Sequence, residues 1–155
     1  MTTYFVSGPL EISTEEFTQH YSGELLRAVK RNASFVVGDA PGVDTLTQAF
    51  LYPFTQDVTV YHMFDKPHNN VCGFKTVGGF KKDIERDEKM TRDSNKDIAW
   101  WRSVDEQKVL YQGNYRKRTS GAEKNVKRRA RLDQLGPPGK IPPHFPPLNY
   151  QKQSH

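Results

Sequence analysis

Cysteine is almost absent: Cys72 is the only one in 155 residues. That excludes an intramolecular disulfide and a cysteine-based zinc site, and nothing flanking Cys72 marks it as a nucleophile. Long hydrophobic runs are missing too. None approaches the roughly 20 apolar residues that a membrane span needs, so no membrane partner is expected. The chain passes from Met1-Thr2-Thr3 straight into Tyr4-Phe5-Val6, without the basic and apolar stretches of a secretory leader. A soluble, cytoplasmic protein is expected. His62 and His68 lack ligand spacing with a third residue, so no metal is expected, and no cofactor.

What is present is polarity. Hydrophobic residues make up 35% and charged residues 26%, a balance that predicts a poorly ordered portion of the chain. The formal net charge of +5 favours anionic partners: a nucleotide, nucleic acid or an acidic protein surface. A soluble domain with a basic tail accounts for it equally well. The length suits one domain.

Patterning predicts alternating elements. Tyr4-Phe5-Val6-Ser7 is a short β-prone run that stops at Gly8-Pro9. Phe17, Tyr21, Leu25, Ala28 and Val29 recur at helical spacing between Thr14 and Arg31, with Ser13 or Thr14 as N-cap. Ser34 to Val37 reads as a second strand, Val43 to Phe54 as a helix cut short by Pro53, and Asp57 to His62 as a third strand. Met63 to Gly79 reads as a long loop, and His62, at the strand end before it, and His68 within it are read as polar loop residues. Phe80 to Asp93 reads as a charged helix, Lys96 to Trp101 as a fourth strand and Ser120 to Leu132 as a basic helix. Arg102 to Thr119 fits an inserted hairpin or a mobile loop. Residues 134–155 are rich in proline and read as an extended or disordered tail.

Strand and helix alternation of this kind predicts an α/β domain over residues 1–133. The expected form is a Rossmann-like three-layer sandwich with a mostly parallel sheet. Ligands of such sheets sit beyond the carboxyl ends of the strands. The residues to watch therefore follow the strands: Ser7-Gly8-Pro9, Gly38 to Asp44, His62 to Lys66, Trp101-Arg102 and Ser120-Gly121.

The richest motif is Gly38-Asp39-Ala40-Pro41-Gly42-Val43-Asp44-Thr45-Leu46. A strand enters a glycine turn that opens a helix. Glycine lets a ligand approach the backbone, and the free N–H groups of a first helical turn attract an anion. Asp44 suits a helix cap or a ribose hydroxyl. By spacing alone, an ordinary tight turn fits as well, because the motif is neither a dinucleotide fingerprint nor a Walker loop.

The loop resembles the G-x-A-x-G-x-D-x-L loop of the SLOG superfamily, which includes the LOG phosphoribohydrolases and the DNA-processing protein A family. Arg86-Asp87-Glu88-Lys89-Met90 is similar to that group's R-N-x-x-M helix start, with Asp87 in place of asparagine. Thr119-Ser120-Gly121-Ala122-Glu123-Lys124-Asn125 resembles its S-G-T turn, and Ser7-Gly8 follows the first strand as in the group. The resemblance spans residues 3 to about 132. It implies a nucleotide or nucleotide-derived ligand held by Ser7, Gly8, Pro9, Gly38, Asp39, Ala40, Gly42, Val43, Asp44, Arg86, Asp87, Met90, Ser120, Gly121 and Lys124. Arg86 is then a phosphate ligand. Self-association into a homo-oligomer is also implied.

Three functions follow. The first is a nucleotide-binding module. The second is a nucleotide N-glycosidase or phosphoribohydrolase, with Glu123 or Asp44 as the catalytic carboxylate. The glycine-rich P-G-G-x-G-T-x-x-E run of the LOG enzymes is missing around Ser120-Gly121-Ala122-Glu123. Glu123 also suits a plain helix-start acid. The third is nucleic-acid binding by the run Arg116-Lys117-Arg118 with Lys124, Lys127, Arg128, Arg129 and Arg131. Few aromatics lie near that run, which ranks this function last.

Overall fold

The computed structural model describes residues 1–135, so the proline-rich segment lies outside the described residues from 136 onward. Five strands form one all-parallel sheet in the order β4-β3-β2-β1-β5. They are β1 (Thr3–Ser7), β2 (Ser34–Gly38), β3 (Val58–Met63), β4 (Lys75–Phe80) and β5 (Lys96–Ala99). Helices cover both faces, giving the α/β three-layer sandwich that the alternation predicts.

The strands are apolar on both sides because each side meets helices. Val6, Phe35, Val37, Val58, Val60 and Ile98 share one core with Phe17, Tyr21, Leu25, Ala28, Val43 and Leu51. Those partners come from α1 (Thr14–Phe17), a π-helical turn (Thr18–Ser22), α2 (Gly23–Lys30) and α3 (Val43–Leu51). The intervening strand residues Phe5, Val36 and Tyr61 face a second core with Met90 of α4 (Asp83–Arg92). α6 (Gly121–Leu135) is fastened on this side, where Arg129 Nε donates to Asp97 Oδ2 at 2.8 Å.

The first helix starts where the sequence places it. Ser13 Oγ accepts the Glu16 N–H and Glu16 Oε1 accepts the Ser13 N–H, both at 3.0 Å. The π turn then swings Tyr21 under the sheet end. Its hydroxyl donates to the Ser7 carbonyl at 2.8 Å and accepts the Trp100 N–H at 3.1 Å. One phenol thus ties the ends of β1 and β5 together.

Three expectations need correction. The segment Met63 to Gly79 is not loop throughout, because β4 occupies its end. As an edge strand with Gly78 and Gly79 it has little apolar pattern to read. Glycine is needed at 78, since a Cβ there would lie 2.1 Å from the His62 ring. His62 is correspondingly a buried residue of β3 rather than a polar loop residue. Finally, Arg102 to Thr119 contains a helix, α5 (Val104–Tyr111), and not a hairpin. Its capping box, Ser103 with Glu106 at 2.9 and 3.1 Å, stands in the sequence as S-x-x-E.

Candidate functional site

The sheet topology locates the site. From β1 the chain builds outward through β2, β3 and β4, then returns to place β5 on the other side of β1. The crevice at such a reversal is where parallel sheets bind ligands, because the two flanking crossovers leave it on opposite faces. A cleft of about 810 Å³ opens there, within the size range of small-molecule sites.

Many of the expected residues meet in its wall: Ser7, Gly8, Pro9, Gly38, Ala40, Asp44, Arg86, Asp87, Met90, Ser120, Gly121 and Lys124. Trp101 and Arg102 also line it, while His62 to Lys66 do not. Trp100 faces away and stacks on His20 at 4.0 Å between ring centres. Ser7 is buried, and its hydroxyl makes no hydrogen bond among the described residues.

The turn into α3 is occupied by the protein itself. Gly42 has φ of +80°, and a Cβ there would lie 2.4 Å from the carbonyls of Pro9 and Leu10. The Val43 N–H donates to the Pro9 carbonyl at 3.1 Å, and the Val43 side chain is core. Asp44 Oδ2 accepts the Ala40 N–H at 3.1 Å. Two backbone donors that an anion would use are therefore already engaged. Asp39 is buried, accepting the His68 N–H at 2.7 Å and lying 3.5 Å from Arg86. Asp39, Gly42 and Val43 build the turn without lining the cleft.

Carboxylates dominate the wall beside that turn. Enclosure pushes the Asp44 carboxyl up to about 7, against the pull of the Ala40 N–H and Arg86. Burial likewise raises Asp87, against Arg86 and Arg128. Arg86 sits among Asp39, Asp83 and Asp87 at 3.5, 3.6 and 3.3 Å. Burial lowers its pKa, but Asp87 and Asp83 more than offset this and hold it above its ordinary value. Its charge is largely answered inside the protein, so it organises the acidic wall.

The turn into α6 differs. Ser120 Oγ caps the helix by accepting the Glu123 N–H at 3.0 Å. Gly121, Ala122, Lys124, Asn125 and Arg128 follow along the cleft side, with Arg118 just before them. Partial burial lowers the Lys124 pKa, and the neighbouring Arg128 lowers it further. Burial is the larger cause; Arg128 and Arg118 add a positive field that Asp87 offsets in part. Glu123 does not line the cleft; its carboxylate pairs with Lys127 at 2.8 Å, as a helix-start acid would.

The basic run is thus split. Lys124 and Arg128 turn to the cleft and Arg129 to Asp97, which leaves little of it as one continuous exposed stripe. Sequence reasoning did not single out Gln107 and Tyr111 of α5 or Asn125. The spacing of Gly121, Asn125 and Arg128 carried a signal, since it puts them on one helix face. Among the described residues, no group of three or more His, Cys, Asp or Glu could hold a metal ion, and no helix is long and apolar enough to cross a membrane. No protein-family model, curated protein or solved structure matches the chain.

Proposed function

We propose that the cleft binds a phosphorylated nucleotide or nucleotide-derived molecule. The phosphate lies at the start of α6 among Arg118, Lys124 and Arg128, and the sugar lies toward Ser7, Asp44 and Asp87. The observation that carries this reading is the convergence of three cationic side chains and a capped 15-residue helix N-terminus on one cleft at the sheet's switch point. The helix dipole favours an anion there. Guanidinium groups add bidentate donors for phosphate oxygens.

At the other end the chemistry reverses. A carboxylate accepts hydrogen bonds from sugar hydroxyls, and the Ser7 hydroxyl has its hydrogen-bonding capacity to spare. A ligand with an anionic end and a hydroxyl-rich middle matches both walls. Calorimetric titration tests this with nucleoside 5′-monophosphates, the parent nucleosides and inorganic phosphate. Monophosphates should bind at least about tenfold more tightly than the nucleosides, a margin set by charge-assisted hydrogen bonds. No binding by the whole panel, or equal affinity with and without phosphate, overturns the proposal.

One observation favours a hydrolytic variant of the same site. A carboxyl that titrates near 7 can hold or release a proton at neutral pH, as a general acid must. In that variant Asp44 is the catalytic carboxyl: it delivers its proton to the leaving base as the glycosidic bond breaks, water adds to the sugar carbon, and the water's proton returns to the carboxylate. Chromatographic detection of free base from monophosphates separates the two readings. Tight binding without turnover leaves a binding module.

A further inference from the structure

We propose that α5 is the wall that reads the ligand's ring: Tyr111 stacks on it, and Gln107 Oε1 accepts a hydrogen bond from an exocyclic amino group. This rests on the nucleotide reading of the cleft.

α5 is eight residues long and buries no side chain. A helix this short is marginal in water without a packing partner. It is held at its start by the Ser103–Glu106 box and by Gln107 Nε2 donating to the Arg102 carbonyl at 2.9 Å. It ends at Gln112, whose φ of +48° is unusual for a side-chain-bearing residue. Only Gln107 and Tyr111, one helical turn apart, line the cleft from this helix. On another rim of the same cleft stands Leu10, 59% exposed. The site therefore has apolar and aromatic surface with no partner among the described residues, away from the cationic start of α6. A flat ring supplies that partner.

The chemistry of Gln107 narrows the ring. One of its two amide N–H groups is committed to Arg102, which fixes the amide's orientation, while its amide oxygen accepts no hydrogen bond among the described residues. An unengaged acceptor selects a donor, and a base bearing an amino group offers one. A base with a carbonyl facing Oε1 sets acceptor against acceptor and has only the second Nε2 hydrogen to turn to, so it is the weaker ligand.

The test uses the full chain and a matched pair, adenosine and inosine 5′-monophosphate, which differ by amino against carbonyl on the same ring system. Wild type should prefer the amino form by about tenfold. Gln107→Met should remove that preference, and Tyr111→Ala should weaken both ligands by about tenfold or more, with Tyr111→Phe near wild type. Because α5 buries nothing, unfolding midpoints of the variants should match wild type. Backbone amides of residues 104–111 should exchange more slowly with ligand present. If the monophosphates bind but the variants match wild type, or wild type does not prefer the amino form, the assignment of α5 is overturned and the cleft reading stands. If no monophosphate binds wild type, both fall together.

Discussion

Two helix-opening turns line the cleft, one following a strand and one following a loop, and they use glycine and acidic residues to opposite ends. The turn into α3 has the richer motif, with two glycines and two aspartates. It spends its donors internally: Pro9 takes the Val43 N–H and Asp44 takes the Ala40 N–H. The turn into α6 has a poorer motif, yet Gly121 is open to space and cations gather around it. Glycine at Gly42 serves a close approach between two segments of the protein. The lesson is that a glycine-rich turn reports a backbone constraint, and only its neighbours say whether the protein or a ligand imposes it.

The sharpest way to break that comparison is a methyl group. Gly42→Ala adds a Cβ at positive φ against two carbonyls and should cost about 3 kcal/mol or more in urea unfolding. Gly121→Ala meets nothing within 4 Å and should stay within about 0.5 kcal/mol. Equal losses would show that both turns are closed.

A second contrast is in pH. Enclosure raises Asp44 from 3.8 to about 7 in the folded chain, so between those values the folded state holds a proton that the unfolded state has released. Stability contributed by this group is full below about 4 and falls as pH rises to about 7, by on the order of 4 kcal/mol. Asp44→Asn keeps an acceptor for Ala40 and should flatten that part of the profile in unfolding titrations from pH 4 to 8. Asp87 and Asp97, also raised by burial, leave a remaining slope of the same sign. An unchanged profile would mean that Asp44 is solvated.

Removing charge from the open turn should act on binding instead. Arg118→Ala with Lys124→Ala should weaken monophosphate binding by about 2 kcal/mol, roughly thirtyfold, with little change in unfolding midpoint. Loss of stability without loss of binding would reverse the roles given to the two turns. The smallest effect belongs to Glu123→Gln, which removes one exposed helix pair worth under about 0.5 kcal/mol. A hundredfold fall in turnover, with affinity kept, would restore Glu123 as a catalytic carboxyl.

Much of the architecture was legible in advance. The runs at Tyr4, Ser34 and Val58 and the helical spacing of Phe17, Tyr21 and Leu25 show because burial against helices repeats a simple period. β4 was hidden because an edge strand is buried only in part and its Gly78 answers to His62. α5 was hidden because it buries no side chain among the described residues, so no periodic apolar face marks it. The site was legible as a set of strand-following residues, since parallel sheets put ligands at strand ends. Gln107, Tyr111 and Asn125 were not, because they come from helices whose contribution depends on how the chain folds over the cleft.

By itself, the sequence determines the alternation of strands and helices, the parallel sheet, and the turns that cluster at one end of it. These follow from local periodicity and from backbone permissiveness, which are properties of short segments. Only the tertiary structure decides which turn is filled and which is open. That outcome depends on where the Pro9 carbonyl and the Asp44 carboxylate come to rest, and on Arg86 meeting three acids while Lys124 meets other cations. Such balances of charge and hydrogen bonding form between residues distant in the chain, so no stretch of sequence contains them.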